Sequence, residues 1–153
     1  MFSGLLEFCR RWLSYWRIRA NGDGIAMVGQ RQMELQVISY VPSATNSKHL
    51  DVGIIVVEKA KDQITFLDTR FVSDMNKVLA FDPHADIEML QSCFREFEKR
   101  LHDPGERYAF LSMMQDTFSN VFQFSAPKAV LISTKPEDEI EKLASLYFSL
   151  SDN

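Results

Sequence analysis

Cysteine is scarce in this sequence of 153 residues, which contains two, Cys9 and Cys93. They lie far apart and neither belongs to a Cys-x-x-Cys pair, so the sequence has no disulfide framework. We expect both to be small apolar side chains in a reduced, cytoplasmic protein. The histidines do not supply further ligands at zinc-binding spacing; they are His49, His84 and His102. We therefore expect no metal and no cofactor.

Long hydrophobic runs and the common catalytic motifs are also missing. No apolar run approaches the roughly 20 residues of a membrane span. Arg10 and Arg11 interrupt the apolar part of a possible signal peptide. The glycine pair of NGDG, residues 21–24, lacks the Lys and Ser/Thr of a phosphate-binding loop, and no Ser-His-Asp or Cys-His spacing is recognisable. The sequence identifies no catalytic residue and favours a protein that is not an enzyme.

Basic residues are few outside the N-terminal segment. Residues 1–31 contain five arginines (10, 11, 17, 19 and 31) against Glu7 and Asp23, a balance of +3. The remainder contains 12 basic and 19 acidic residues, a balance of −7, and the two sum to the net charge of −4. Since phosphate contacts need clustered Lys and Arg, this acidic body argues against nucleic-acid binding.

The segment FSGLLEFCRRWLSYWRIRA, residues 2–20, has the pattern of a basic amphipathic helix. Seven of its apolar side chains fall within about a 120° arc; they are Phe2, Leu5, Leu6, Cys9, Trp12, Leu13 and Trp16. Three interpretations stay open. The helix covers the domain core, or residues 2–19 anchor the protein on an anionic membrane, or residues 1–32 are a non-native leader and the chain starts at Met27 or Met33.

The residues from 33 to 153 are predicted to form a single domain that opens with three strands. These are MELQVISYV (33–41), VGIIVVE (52–58) and QITFLDT (63–69), and their short connections predict an antiparallel meander. The continuous β-branched run of the second predicts a central strand buried on both faces. Pro42 ends the first strand, and Gly53 indicates a bulge or a close backbone approach.

Helices and one or two further strands follow this meander. We predict a short helix over 71–81 and later strands over 120–125 and 128–133. Three Asp/Thr-Pro signals predict helix starts: Asp82-Pro83, Asp103-Pro104 and Thr134-Lys135-Pro136. The expected fold class is α+β, a small antiparallel sheet packed by three to four helices on one side.

Two groups of acidic residues suggest chemistry. DPHADIE, residues 82–88, contains metal-ligand types, but capping by Asp82 and the helix dipole explain the acidic residues better. Asp51 and Asp68 lie at predicted strand ends, and a meander could bring the two carboxylates together to bind a divalent metal. The simpler use is an ion pair of Arg70 with Asp68 or with Asp51 that fixes the strand end.

The opening strands resemble a bacterial family of unknown function, the domain of unknown function numbered 3037. In that family, Arg-Tyr-x-Pro leads through a loop into Glu-x-x-Asn-Val-Gly-Val; the matching residues here are Tyr40, Pro42, Val52 and Gly53. FLDTRF (66–71) and FDPHADIEML (81–90) are similar to its second and third signatures, and the resemblance covers roughly residues 33–148. Ser39, Lys48 and Asp51 depart from the family pattern by replacing its Arg, Glu and Asn.

The resemblance implies no activity, but it implies a small bacterial cytoplasmic protein, often encoded beside a kinase that resembles a toxin. We expect a protein-interaction or accessory module whose partner is a protein, with such a kinase as the first candidate. The binding residues we expect are Tyr40, Pro42, Asp51, Gly53, Asp68 and Arg70. Two alternatives are a small metal-dependent hydrolase or nuclease using Asp51 and Asp68, and a peripheral membrane protein anchored by residues 2–19.

Overall fold

The computed structural model of the chain describes residues 30–42, 48–117, 121–133 and 135–150. The predicted N-terminal helix, its linker and most of the loop after Pro42 lie outside the described residues. None of the helices within these ranges combines the length and the hydrophobicity needed to cross a bilayer.

The described strands form one antiparallel sheet, as predicted. They are β1 (Arg31–Tyr40), β2 (Leu50–Ala60), β3 (Gln63–Phe71), β4 (Phe122–Phe124) and β5 (Lys128–Ile132). The sheet order is β3-β2-β1-β4, and β5 also pairs with β1. The β-branched run of β2 lies between two strands and is buried from Val52 to Val57, which confirms that it is central. β3 forms one edge of the sheet, and β4 and β5 share the other edge.

β4 and β5 are the two halves of one edge strand separated by a bulge. β4 ends opposite Ile38 and β5 begins opposite Leu35, so two residues of β1 face the three residues 125–127. Val37 closes the gap, because its N–H donates to Ser125 Oγ at 2.8 Å and its carbonyl accepts from Ser125 N at 2.9 Å. The bulge keeps both halves on β1 although their registers differ.

Four helices are described: α1 (Met75–Phe81), α2 (Ile87–Leu101), α3 (Arg107–Thr117) and α4 (Pro136–Leu150). The prediction that Asp82 caps a helix starting at Pro83 is wrong. Asp82 ends α1 and accepts from the backbone N–H of His84 at 3.1 Å, while Asp86 caps α2. An Asp whose carboxylate bonds two residues ahead forms a turn, and its local sequence is the same as that of an N-cap. Asp103 forms a similar turn, and α3 begins four residues later.

Helices cover both faces of the sheet, so the expectation of helices on one side is wrong. On one face, α1, α2 and α3 contribute a core whose helical members are Val78, Leu90, Phe94, Phe97, Leu101, Phe110, Leu111 and Met114. On the other face, α4 packs Ile140 and Ala144 against β1, β2 and β5. The physical reason is β2 itself: a strand that is apolar on both faces needs a cover on each of them.

Candidate functional site

The predicted site residues fall into two polar groups. The β3-edge cluster comprises Asp68, Thr69 and Arg70 together with His102 and Glu141 from the helices. The strand-end cluster lies where β1 ends and β2 begins and comprises Ser39, Tyr40, His49, Asp51 and Asp82.

In the β3-edge cluster, two charged side chains cover the backbone of Thr69. The Thr69 N–H donates to Asp68 Oδ1 at 2.9 Å, and the Thr69 carbonyl accepts from Arg70 Nη1 at 2.8 Å. Arg70 Nη1 also lies 2.8 Å from Asp68 Oδ2, which confirms the predicted ion pair between these residues. Because β3 is an edge strand, backbone groups that point away from β2 would be open to another strand. The Asp-Thr-Arg sequence therefore covers the outward backbone groups of Thr69 with its own side chains.

The same cluster ties a helix from each face of the sheet to the β3 edge. Arg70 Nε donates to Glu141 Oε2 of α4 at 2.8 Å. His102, at the end of α2, places Nε2 3.2 Å from the Thr69 hydroxyl and 3.9 Å from Asp68 Oδ1. Burial lowers the pKa of Arg70, but the hydrogen bonds to Glu141 and Asp68 outweigh it, so its pKa is raised. The cluster therefore contacts one helix on each face of the sheet.

In the strand-end cluster, a serine of β1 contacts an aspartate of β2. Ser39 and Asp51 lie directly opposite in the β1–β2 ladder, and Ser39 Oγ donates to Asp51 Oδ1 at 2.9 Å. His49 Nε2 lies 4.0 Å from the same carboxylate oxygen. The register shifts between Ile38, opposite Gly53, and Ser39, opposite Asp51, so Val52 has no partner on β1. The bulge, one of the two features predicted from Gly53, therefore lies next to it.

Tyr40 is buried and connects β1 to the turn after α1. Its hydroxyl donates to Asp82 Oδ2 at 2.7 Å. Burial, followed by the hydrogen bond to the Asp82 carboxylate, raises the pKa of Tyr40 to about 12. The phenol therefore stays protonated at neutral pH and joins the end of β1 to the turn that follows α1.

The structure does not bring Asp51 and Asp68 together. Asp51 lies opposite Ser39, whereas Asp68 lies opposite Val56, five residues further along β2. At about 3.3 Å per residue this separates them by about 16 Å along the strand. Within the described ranges, no three His, Cys, Asp or Glu side chains are grouped closely enough to hold a metal ion. The paired-carboxylate hypothesis therefore has no geometric support.

Pro42 and Gly53, the two other predicted binding residues, differ in exposure. Pro42 is exposed at a bend, and the residues that resume the described chain, Lys48 and His49, are exposed as well. Gly53 is buried in β2 opposite Phe71. The described ends of the β1–β2 connection are therefore accessible, while Gly53 is part of the core.

Sequence reasoning missed Thr69, His102 and Glu141. Thr69 is 4% exposed, and a threonine between two charged residues in a strand carries no special signal. Its partner His102 lies 33 residues away, and Glu141 is 71 residues from Arg70. No local pattern could have assigned these contacts, because they depend on where two helices pack.

Comparison with known families and proteins gives one match. The sequence model of a family described as "Protein of unknown function (DUF3037)" matches residues 35–148. The match extends from β1 into α4 and includes both polar clusters. No curated protein and no solved structure matches the chain.

Proposed function

Since this chain belongs to the DUF3037 family of proteins of unknown function, we propose from its own surface that it is a non-enzymatic protein-interaction module. The proposed binding surface, called the loop-side surface below, comprises Pro42, Lys48, His49 and the edge strand at residues 121–133. β4 lies next to the loop because it pairs with the last three residues of β1, and β5 continues the same edge away from the loop, opposite residues 31–35.

The observation that carries this proposal is the contrast between the two sheet edges. At β3, Asp68 and Arg70 occupy the backbone groups of Thr69, and Arg107 donates to the carbonyl of Ile64. At β5, no side chain of the described residues hydrogen-bonds to the backbone of residues 128–132; the nearest such bonds involve the Ala126 carbonyl and the Ser133 N–H. The bulge and Pro127 interrupt the β4–β5 edge, but no side chain of the described residues covers the backbone of β5 itself. β5 is therefore the better candidate for a partner strand.

The polar residues considered for catalysis support the same conclusion. Asp68 and Arg70 bind each other and the backbone, Tyr40 binds Asp82, and Asp51 binds Ser39. These contacts place the side chains in the architecture of the sheet and its helices. The metal-dependent hydrolase is therefore not retained as a second proposal.

The proposed setting is the bacterial cytoplasm. The free thiol of Cys93 is consistent with a reducing compartment. The partner to test first is a kinase resembling a toxin, since the family resemblance in the sequence suggests one.

The proposal is tested by tagging the chromosomal copy at its C-terminus and quantifying co-purifying proteins by mass spectrometry. We expect one protein at stoichiometric amounts. The double variant Lys48→Glu, His49→Glu should reduce its recovery, and Tyr108→Glu on the exposed surface of α3 is the matched control. Recovery of no enriched protein, or equal loss with the control, would overturn the proposal. The same peptides identify the first residue of the native chain.

A further inference from the structure

We propose that β5 accepts an extended segment of the partner protein as an additional strand, with an acidic side chain of that segment opposite Lys128. The inference rests on the proposed function and specifies how the loop-side surface binds. Strand addition obtains its affinity from main-chain hydrogen bonds and its specificity from alternate side chains.

The backbone groups that face outward on β5 follow from the pairing of β1. Val37 turns both its N–H and its carbonyl toward Ser125, on the side of the β4–β5 edge. In an antiparallel ladder every second residue bonds to the same neighbour, so Leu35 and Met33 also turn their backbone groups toward this edge. Their β5 partners therefore direct their own backbone groups inward to β1.

The outward residues of β5 are consequently Ala129 and Leu131. Each presents one N–H and one carbonyl, spaced for a neighbouring strand. Both side chains are exposed, Leu131 to 48%. A small residue followed on the same face by a large apolar one gives an added strand an apolar contact as well as backbone partners.

The part of β5 that can pair with an added strand has a defined length, because the residues on either side of it cannot extend the pairing. Pro127 has no N–H to donate. The N–H of Ser133 already donates to Glu139 Oε2 at 2.8 Å. Pairing is therefore limited to Ala129, Leu131 and the residues between and beside them, which predicts a short partner segment and moderate affinity.

The charge of β5 indicates which kind of segment pairs with it: a segment of another protein, a second copy of the chain, or the N-terminal residues of the chain itself. Lys128 is the single charged residue of β5 and is exposed. A second copy of the chain would bring another β5 with a lysine and no acid. The N-terminal residues 1–30, which precede β1, carry four arginines against Glu7 and Asp23, a balance of +2. Opposite charges across neighbouring strands stabilise pairing and like charges destabilise it. An acidic extended segment of another protein is therefore favoured over both.

The test uses the isotopically labelled full chain and capped heptapeptides in which valine and threonine alternate. One glutamate is placed at each position in turn, and lysine analogues serve as matched probes. We expect saturable amide shifts at residues 128–132, slowed hydrogen exchange at Ala129 and Leu131, and glutamate peptides binding about two- to fivefold more tightly than lysine analogues. Lys128→Glu should reverse this order without changing the fold.

Ala129→Pro is the blocking variant, and Ala129→Thr is its control. The Ala129 N–H points away from β1, so proline removes no bond of the existing ladder; thermal unfolding checks that the variant folds. We expect Ala129→Pro to lose peptide binding at least tenfold and Ala129→Thr to retain it. Equal binding by the two variants, or no peptide affecting these amides, overturns strand addition.

The two proposals can fail separately. If Ala129→Pro still captures the cellular partner, the interaction module stands and strand addition at β5 falls. If the peptides bind β5 but the host contains no partner, the proposed function falls. If the lysine analogues and the glutamate peptides bound β5 with equal affinity, the proposal that the partner segment is acidic would be overturned.

Discussion

The ring of Phe71 lies directly over Gly53, its partner on the neighbouring strand. A β-carbon at position 53 would lie 2.7 Å from Phe71 Cδ1 and 2.8 Å from Cε1, which is closer than real carbon contacts allow. The same ring stacks on Phe94 of α2 with centroids 4.8 Å apart. The missing side chain of Gly53 therefore provides the space in which β3 and α2 pack against β2.

Gly53→Ala should destabilise the protein by about 1–3 kcal/mol, because the added methyl group displaces a ring that is held between a strand and a helix. Urea unfolding measures the change. In a Phe71→Leu background the same substitution should have a smaller effect, since the stacked ring is absent. Equal losses in the two backgrounds would show that the close approach to Phe71 is not the cause.

Arg70→Ala should have a much larger effect than Glu141→Ala. Loss of Arg70 removes the donor to the Thr69 carbonyl and the ion pair with Asp68, whose carboxylate still accepts from the Thr69 N–H. We expect it to lower the free energy of unfolding by about 1–2 kcal/mol. The Glu141 side chain is 65% exposed, so its loss should change stability by less than about 0.5 kcal/mol. Thermal and urea unfolding of both variants check the difference, and a dominant effect of Glu141 would contradict it.

Tyr40 predicts a loss of stability in alkaline solution. Its pKa is raised from 10.0 to about 12 in the folded protein, so the unfolded chain ionises first. The stability that the protonated Tyr40 hydroxyl contributes to the fold is present below pH 10.0 and is lost as the pH rises toward about 12. Tyr40→Phe should remove this alkaline slope, and it should lower stability at pH 7 by about 1–3 kcal/mol because Asp82 loses a donor. Urea unfolding between pH 10.0 and about 12 measures this difference. A parallel loss of stability in the original protein and in Tyr40→Phe would contradict the account.

Glu58 predicts a loss of stability in acid. Its carboxylate accepts from Arg31 at 2.7 and 2.6 Å, and these hydrogen bonds lower the pKa of Glu58 below its usual 4.5. The contribution is therefore present above pH 4.5 and is lost as the pH falls through the lower pKa of the folded state. In Glu58→Gln, the free energy of unfolding should fall less steeply as the solution is acidified. The exposed control Glu98→Gln should leave this acid dependence unchanged. If Glu58→Gln still lost stability steeply in acid, the Arg31–Glu58 pair would be excluded as the source of the acid dependence.

Much of the sheet could be predicted because its signals are local. The β-branched run over 52–58 identifies a central strand, and Gly53 identifies the bulge within it. The Asp68–Arg70 ion pair could also be predicted from the sequence, since the two residues are two positions apart on one strand. These features depend on neighbours in the sequence, and the structure confirms them.

The features that could not be predicted depend on distant parts of the chain. Asp82 has the local sequence of an N-cap, but the hydroxyl of Tyr40, 42 residues away, holds its carboxylate in a turn. Which face α4 covers, and hence the contact of Glu141 with Arg70, is decided by packing across the sheet. The separation of Asp51 and Asp68 follows from the ladder register, which the composition of the strands leaves open.

The most direct test of the central claim is hydrogen–deuterium exchange of the protein alone and in the complex recovered from its host. The loop-side surface predicts that partner binding slows exchange at residues 48–51 and 121–133 and leaves Asp68–Arg70 unchanged, because the latter backbone is already covered by its own side chains. Protection at the β3 edge without protection at residues 121–133 would contradict the account.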